Sequence, residues 1–329
     1  MARFARTQTI QHAVGTAGRM SLKVTSATVR VRGVEGETAT LQATFDIPAS
    51  SEQEADAVLQ AVQLLGTQGD GELRVTEPND AGGSGIGAMI GRILGGHGDV
   101  DYSVEAELPR GAELRLETLS GEVTAEGLHG RQRYITVSGD LFLDDAGGEL
   151  RIETVSGDVV VRSERSLGAR VDAVSGDLSL TAPRLEALRL QAVSGDVEVE
   201  GELAPGGDFR VETVSGDFGI GLVGGASIEV RGISTDISSD IDHRIEGRLD
   251  RRRLVIGTGE PELTFSSMSG DISVRRPRRL RGAAPPPLPA APAAPLPEDE
   301  QLAVLQALER GEIDVDEAAR RLAGGRTDA

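Results

Sequence analysis

Six arginines, Arg115, Arg133, Arg151, Arg170, Arg189 and Arg210, each stand five residues before a serine. Guanidinium forks held in register suit sulfate, phosphate or carboxylate groups, so the column is a candidate stripe for an anionic polymer or lipid. Two residues after each arginine comes a largely acidic column, Glu117, Ile135, Glu153, Asp172, Gln191 and Glu212. That neighbour offers the plainer alternative of a solvated salt-bridge face. The serines head Ser-Gly-Asp tripeptides, and serine and aspartate repeated as ladders are not a converging catalytic set. His12, His97, His129 and His243 are scattered. No metal-ligand spacing, nucleophile elbow or phosphate loop occurs, and Gly83, Gly85 and Ala88 fit a dinucleotide fingerprint only without its strand and its acid. Calcium between successive aspartates would need the glycine-rich nonapeptide that binds it in other β-helices, which is missing. No catalytic residue, cofactor, metal or small-molecule substrate is therefore expected.

A repeat positions these columns. Residues 149–162, ELRIETVSGDVVVR, return with drift at Ser120, Ser138, Ser156, Ser175, Ser194, Ser215, Ser234 and Ser269, at intervals of 18, 18, 19, 19, 21, 19 and 35 residues. The positions six and four before the serine, such as Leu150 and Ile152, and three and five after it, such as Val159 and Val161, are mainly apolar. Each unit thus predicts two short strands with one buried face. From Ile152 to Val155 the apolar positions step by an odd number, which predicts a change of inward parity and a bend before the tripeptide. Glycine with flanking serine and aspartate is turn chemistry, and the bland account of the motif is a corner. One further apolar residue per unit, Leu128, Leu167, Leu185 or Leu203, falls in a stretch of variable length.

The fold class that satisfies this is all-β: a β-solenoid with coils of about 18–21 residues at about 4.8 Å per rung. Parallel and right-handed winding follows from the crossover preference, whereas an antiparallel sandwich would show hairpin signals. The aspartates from Asp140 to Asp217 are expected to offset repulsion along the arginine column.

Residues 1–110 read as N-terminal rungs with a capping helix inserted at 51–65, opened by Ser51 and Glu54 and ended by Gly66. Within a glycine-rich segment at 81–98, Ile86, Met89, Ile90, Ile93 and Leu94 fall on one face of a short helix. That segment is a hinged loop folding back on the solenoid or a foot for membrane or self-association. The repeats occupy 111–276, with a polar insertion in the long last interval. Residues 277–297 are a Pro/Ala linker. Residues 298–324 form a helical hairpin with Leu302, Leu305, Leu308 and Leu322 as its oligomerisation stripe, too small to be stable without a partner surface.

Net charge is −19, from 34 Lys and Arg against 53 Asp and Glu, which argues against non-specific nucleic-acid binding. Cysteine is absent and aromatics make up only 2%, so no disulfide holds the chain and no stacking platform serves bases or sugars. No secretion signal or spanning stretch is legible, so a cytoplasmic protein, peripheral to the inner membrane at most, is expected.

The T-V-S-G-D-V-x-V units, the opening SLKVTSATVRVRG, the passage AELPRGAELRLETLSGEV and the closing GTGEPELTFSSMSGDISV resemble the bacterial β-strand-repeat domain of unknown function known as the putative-adhesin family. QALERGEIDVDEAARRL resembles the short C-terminal (SHOCT-like) helical hairpin that accompanies it. The resemblance implies a non-catalytic repeat scaffold near the cell envelope whose tail oligomerises or docks on a protein. The alternatives are an anionic polymer or lipid binder using the arginine column, and a bactofilin-like scaffold that polymerises end to end.

Overall fold

Leu150, Ile152 and Thr154 are buried along one strand and Val159 and Val161 along the next, and the coils repeat this pattern. The computed structural model describes residues 2–78, 100–248 and 251–277. Met1–Pro277 form one compact unit; Arg278–Ala329, a second, lie outside the described residues.

The N-terminal part contains β1 (Ala2–Ala13), β2 (Arg19–Ser26), β3 (Thr28–Val34), β4 (Thr38–Ala49), α1 (Glu52–Val62), β5 (Leu65–Gly69), β6 (Glu72–Thr76) and β7 (Asp101–Pro109). Coils of two strands follow: β8 (Glu113–Ser120) with β9 (Val123–Glu126), β10 (Gln132–Ser138) with β11 (Leu141–Asp144), and β12 (Gly148–Ser156) with β13 (Val159–Arg162). After β14 (Ser166–Ala173), β15 (Leu178–Ala192) serves as the second side of one coil and the first side of the next. Then come β16 (Val197–Leu203), β17 (Phe209–Ser215), β18 (Phe218–Val223), β19 (Ala226–Ser234) and β20 (Ile237–Ser239). The last are β21 (His243–Arg248), β22 (Arg251–Ile256), β23 (Glu262–Ser269) and β24 (Ile272–Arg275).

Coils stack in parallel register, so like residues lie side by side. Ile152 sits beside Tyr134 and Val171, and Val171 beside Leu190. The first sides run β6, β2, β8, β10, β12, β14, β15, β17, β23, β19. The second sides run β7, β3, β9, β11, β13, β15, β16, β18, β24, β20. Leu128, Leu167, Leu185 and Leu203 are buried at the return corners. This is the parallel, solenoid-like stack expected from the repeat.

Both ends depart from sequence order. The last coil, β23–β24, fills a slot between β17–β18 and β19–β20, so the chain passes over one position and comes back to occupy it. Phe218 and Phe265 stack at 5.3 Å where this coil is seated. At the other end the first coil, β2–β3, lies inside the later β6 and β7. The polar insertion expected in the long interval is instead the β21–β22 hairpin, antiparallel to β19. Nor are all N-terminal strands rungs: β4 runs antiparallel to β7, and β1 antiparallel to β4 over its whole length.

The helix α1 packs on β4 and β1, burying Ala55 and resting Val58, Leu59 and Val62 on the core. Ser51 accepts from the Glu54 N–H at its N-cap. The Glu54 carboxylate returns to the Ser50 hydroxyl and N–H, not to the N-cap itself, and those bonds hold it below the usual carboxylate range. The helix ends at Val62, and Gly66 belongs to β5.

One polar pair interrupts the core columns. Gln132 is buried at the place of Leu150, and its amide donates to Leu128 O at 2.8 Å and Gly147 O at 3.1 Å. Its carbonyl accepts from the Tyr134 hydroxyl at 2.9 Å, and burial pushes the Tyr134 phenol well above its ordinary pKa. Each residue satisfies the other where neither could stand alone. Tyr134→Phe leaves the Gln132 carbonyl without that donor and is expected to lower unfolding free energy by about 1–3 kcal/mol. Urea titration checks this, and the double variant Gln132→Leu with Tyr134→Phe should recover most of the loss.

Candidate functional site

The tripeptide corner is the densest concentration of polar groups, and each member bonds to the neighbouring coil. The serines donate to the valine carbonyl one coil back: Ser175 Oγ to Val155 O at 3.1 Å and Ser194 Oγ to Val174 O at 3.3 Å. Aspartate carboxylates cap backbone N–H groups one coil on, Asp158 Oδ1 accepting from Asp177 N and Asp177 Oδ1 from Asp196 N, both at 2.9 Å. The ladder continues through Asp217 and Asp271 to Asp236, in spatial and not sequence order. The expected placement of these carboxylates beside the arginines is thus corrected, because the backbone N–H groups of the corner claim them first.

Between serine and aspartate the glycines touch backbone to backbone. Gly176 has φ of 109°, and a Cβ there would lie 2.2 Å from Gly157 O; Gly157, Gly195 and Gly216 repeat the geometry. Only glycine meets both demands, the left-handed backbone and the close approach.

The predicted parity change also falls elsewhere. Thr154 is buried and Val155 faces outward, so the alternation of β12 runs on unbroken to the corner and reverses within the tripeptide. The column read as core is therefore an outward apolar stripe. In it Val174, Val193, Val214 and Met268 are 45, 47, 43 and 59% exposed. With Ala173, Ala192 and Thr213 the valines line a shallow groove of about 570 Å³.

The six arginines stand in one register, Arg115 beside Arg133, then Arg151, Arg170, Arg189 and Arg210. Arg115 pairs with Glu117 at 2.6 Å, Arg133 and Arg151 share Glu153 at 2.8 and 2.9 Å, and Arg170 meets Asp172 at 3.3 Å. Arg189 engages Asp208, and Arg210 pairs with Glu212 at 2.6 Å. Each guanidinium thus has a carboxylate of the stack as counterion, and the column alternates in charge with its neighbours.

The described histidines do not converge. His12 meets Gly69 O, His243 meets Ile241 O, and His129 Nε2 lies 2.9 Å from Asp145. Among the described residues no group of three His, Asp or Glu is arranged to hold a metal. The candidate foot Ile86, Met89, Ile90, Ile93 and Leu94, and the tail residues Leu302, Leu305, Leu308 and Leu322, lie outside the described residues.

Fold and corner together define a parallel β-repeat protein whose recurring motif links its own coils. The chain belongs to the Toastrack DUF4097 family, whose pattern matches residues 17–275. No curated protein matches it. Among solved structures it is similar to a putative lipid binding protein from Parabacteroides distasonis, at 16% identity over 82% of this chain and 96% of that one, with a TM-score of 0.41. A putative cell adhesion protein from Clostridium sporogenes is 11% identical over 84% of this chain and 100% of its own, with a TM-score of 0.29. A putative adhesin from Bacteroides fragilis is 11% identical over 82 and 97%, with a TM-score of 0.30.

Three substitutions separate the roles within the corner. Gly176→Ala combines left-handed strain with the clash on Gly157 O and is expected to destabilise by about 2–4 kcal/mol. Asp177→Ala removes the acceptor of Asp196 N and is expected to lose about 1 kcal/mol, whereas Asp177→Asn keeps an oxygen there and should lose much less. Denaturant midpoints of the three variants give the order directly.

Proposed function

We propose that the chain is a non-catalytic β-solenoid scaffold that works through the sides of its stack. The coils wind right-handed, following the general crossover preference. One observation carries this: the serine, aspartate and arginine columns are engaged with the stack itself, while Val174, Val193, Val214 and Met268 on the same face stay open to solvent. A protein partner or a second copy at or near the bacterial cell envelope is the occupant such a surface serves, and the cytoplasmic side of the inner membrane is the proposed place. Among the described residues no helix is long and apolar enough to cross a membrane. The hairpin at residues 298–324 supplies oligomerisation or docking through Leu302, Leu305, Leu308 and Leu322. Growth end to end is the weaker alternative, because β5, β4 and β1 at one end and β22 and β21 at the other are antiparallel additions that interrupt parallel stacking.

An anionic polymer or lipid binding on the arginine column would have to displace the carboxylates already paired there. Replacing Arg151, Arg170 and Arg189 together by Gln is expected to leave retention on an anionic polysaccharide unchanged and stability lower by no more than about 1 kcal/mol per pair. A loss of retention would reinstate the column as a binding stripe.

Sedimentation of the full chain at micromolar concentration should show an oligomer, and a chain ending at Pro277 should sediment as a monomer. If both are monomeric, assembly through the tail is wrong. Val174, Val193 and Val214 changed together to Thr keep the branched shape and strand preference. That variant should melt within a few degrees of the parent while losing lateral contacts, which size-exclusion chromatography at high concentration would read.

A further inference from the structure

The open part of the outward valine column has a defined length and spacing. In stacking order the column runs Leu119, Val137, Val155, Val174, Val193, Val214, Met268. Leu119 is buried, Val137 and Val155 are half-buried, and Val174, Val193, Val214 and Met268 are exposed. Those four side chains, at about 4.8 Å per rung, make an open strip about 14 Å long that runs along the stack. A partner that fills the strip must present apolar groups at the same interval.

The two borders of the strip differ in charge. On one side Glu153, Asp172 and Glu212 are paired with arginines, and Gln191 stands in their column without charge. On the other side, three residues after each open apolar side chain, stand Asp177, Asp196, Asp217 and Asp271, all exposed. Each accepts a neutral backbone N–H of the next coil through Oδ1, and none is ion-paired among the described residues. The corner bonds therefore hold these carboxylates in register without cancelling their charge. The strip is hydrocarbon with one negative edge, one charge per coil.

We propose that the strip receives a basic amphipathic helix of another protein, laid along the stack. Apolar positions i, i+3, i+7 and i+10 of a helix rise by about 0, 4.5, 10.5 and 15 Å, against about 0, 4.8, 9.6 and 14.4 Å for four coils, so one side chain meets each coil. An extended strand laid the same way presents one face only every ~6.6 Å and is out of step by the second coil. A second copy matches the spacing, but it brings the same aspartate edge and a net charge of −19, so like charge meets like. Lysine or arginine along one edge of the helix answers the aspartates, while its other edge faces paired charges and needs only polar groups. This rests on the reading of the open valines as a receiving surface and adds the class of the occupant.

Fluorescence anisotropy with the full chain tests this, using labelled peptides of about 18 residues, long enough to be helical in water. One carries Leu at helical spacing with Lys, one is its isomer with Leu and Lys alternating, and one has the helical pattern with Glu in place of Lys. The isomer controls for the attraction of any polycation to an acidic protein. The helical Leu/Lys peptide is expected to bind at least about tenfold more tightly than either of the others. Val174, Val193 and Val214 changed together to Thr should weaken it about tenfold. Asp177→Asn with Asp196→Asn, which keep an oxygen at each corner, should weaken it several-fold at low salt and little at high salt. Equal binding of the two isomers, or of the helical peptide to parent and threonine variant, overturns the helix, and equally tight binding of the Glu peptide overturns the basic edge. If no peptide binds while the parent self-associates through those valines, this inference fails and the scaffold reading stands, with a second copy as the occupant. If neither a peptide nor a second copy is held there, the scaffold reading loses its surface as well.

Discussion

The approach of one glycine corner to the next governs the structure. A Cβ at Gly139, Gly157, Gly176, Gly195 or Gly216 would fall 2.1–2.3 Å from the carbonyl oxygen of the corresponding residue one coil back. Corners that close leave no freedom in register, so every other column must align: apolar residue on apolar residue, arginine on arginine, aspartate on aspartate. Alignment of like charges is unfavourable unless each finds another partner. Arg115, Arg151, Arg170 and Arg210 find one in the acids two positions on, Arg133 and Arg189 in Glu153 and Asp208 of the next coil, and the aspartates in the backbone N–H groups of the next corner. Two ladders that would repel if left as bare columns are thereby turned into bonds along and between coils.

The same constraint explains the ends. In sequence order the glycine column is broken, because Thr235 stands between Gly216 and Gly270. In space Gly270 follows Gly216 directly and Thr235 falls on the outermost coil, while Ala27 begins the column at the other end. Non-glycine residues thus mark where the run of close approaches begins and where it stops. Past Thr235, and past β6 and β7 one position outside Ala27, the chain changes to antiparallel strands, whose geometry does not continue a parallel stack. Exposed parallel edges are templates for further pairing, and β22 with β21 and β4 with β1 occupy those places. The returning coil, β23–β24, is held on both sides by strands already made, so the C-terminal part of the stack is closed by insertion and not by simple addition.

How much of this was legible in the sequence divides along physical lines. Period, parallel register and buried columns were legible, because a one-residue slip would turn Ile152, Val171 and Leu190 out of the core, and their spacing leaves no other solution. The order of coils at the ends was not read, although Thr235 and Ala27 carried the signal; a column must be completed in space, and the alignment was completed along the chain. The outward valines were misread because apolarity alone does not tell a core position from an exposed strand position that favours branched side chains. The buried Thr154 was the clue, since its hydroxyl can bond back to the strand, as it does to Ser156 O, and so enter the core without an unmet donor. The arginine column was placed correctly as a column, but its partners depend on side-chain reach, and Asp208 for Arg189 lies outside the acidic column that spacing alone identifies.

Strand propensity by itself would account for one exposed valine, and isolated apolar side chains on a surface need no further cause. A column is different. Parallel stacking converts a preference exercised once per repeat into a continuous strip, so whatever the corner demands of a single Val-Ser-Gly-Asp is multiplied along the side of the protein. Such a strip is a liability unless it is covered or bordered by charge. Here Glu153, Asp172 and Glu212 with their arginines border it, and its N-terminal end is covered. A repeat protein that had no use for the open end could have replaced Val174, Val193 and Val214 by threonine at little loss to the strands, as it did at Thr154 and Thr213 one position earlier. At Thr154 and Thr213 a threonine was accepted in a buried place, and Ala173 and Ala192 hold that position before Val174 and Val193; the branched apolar choice was kept where water is met, which is the distribution expected of a surface that receives another.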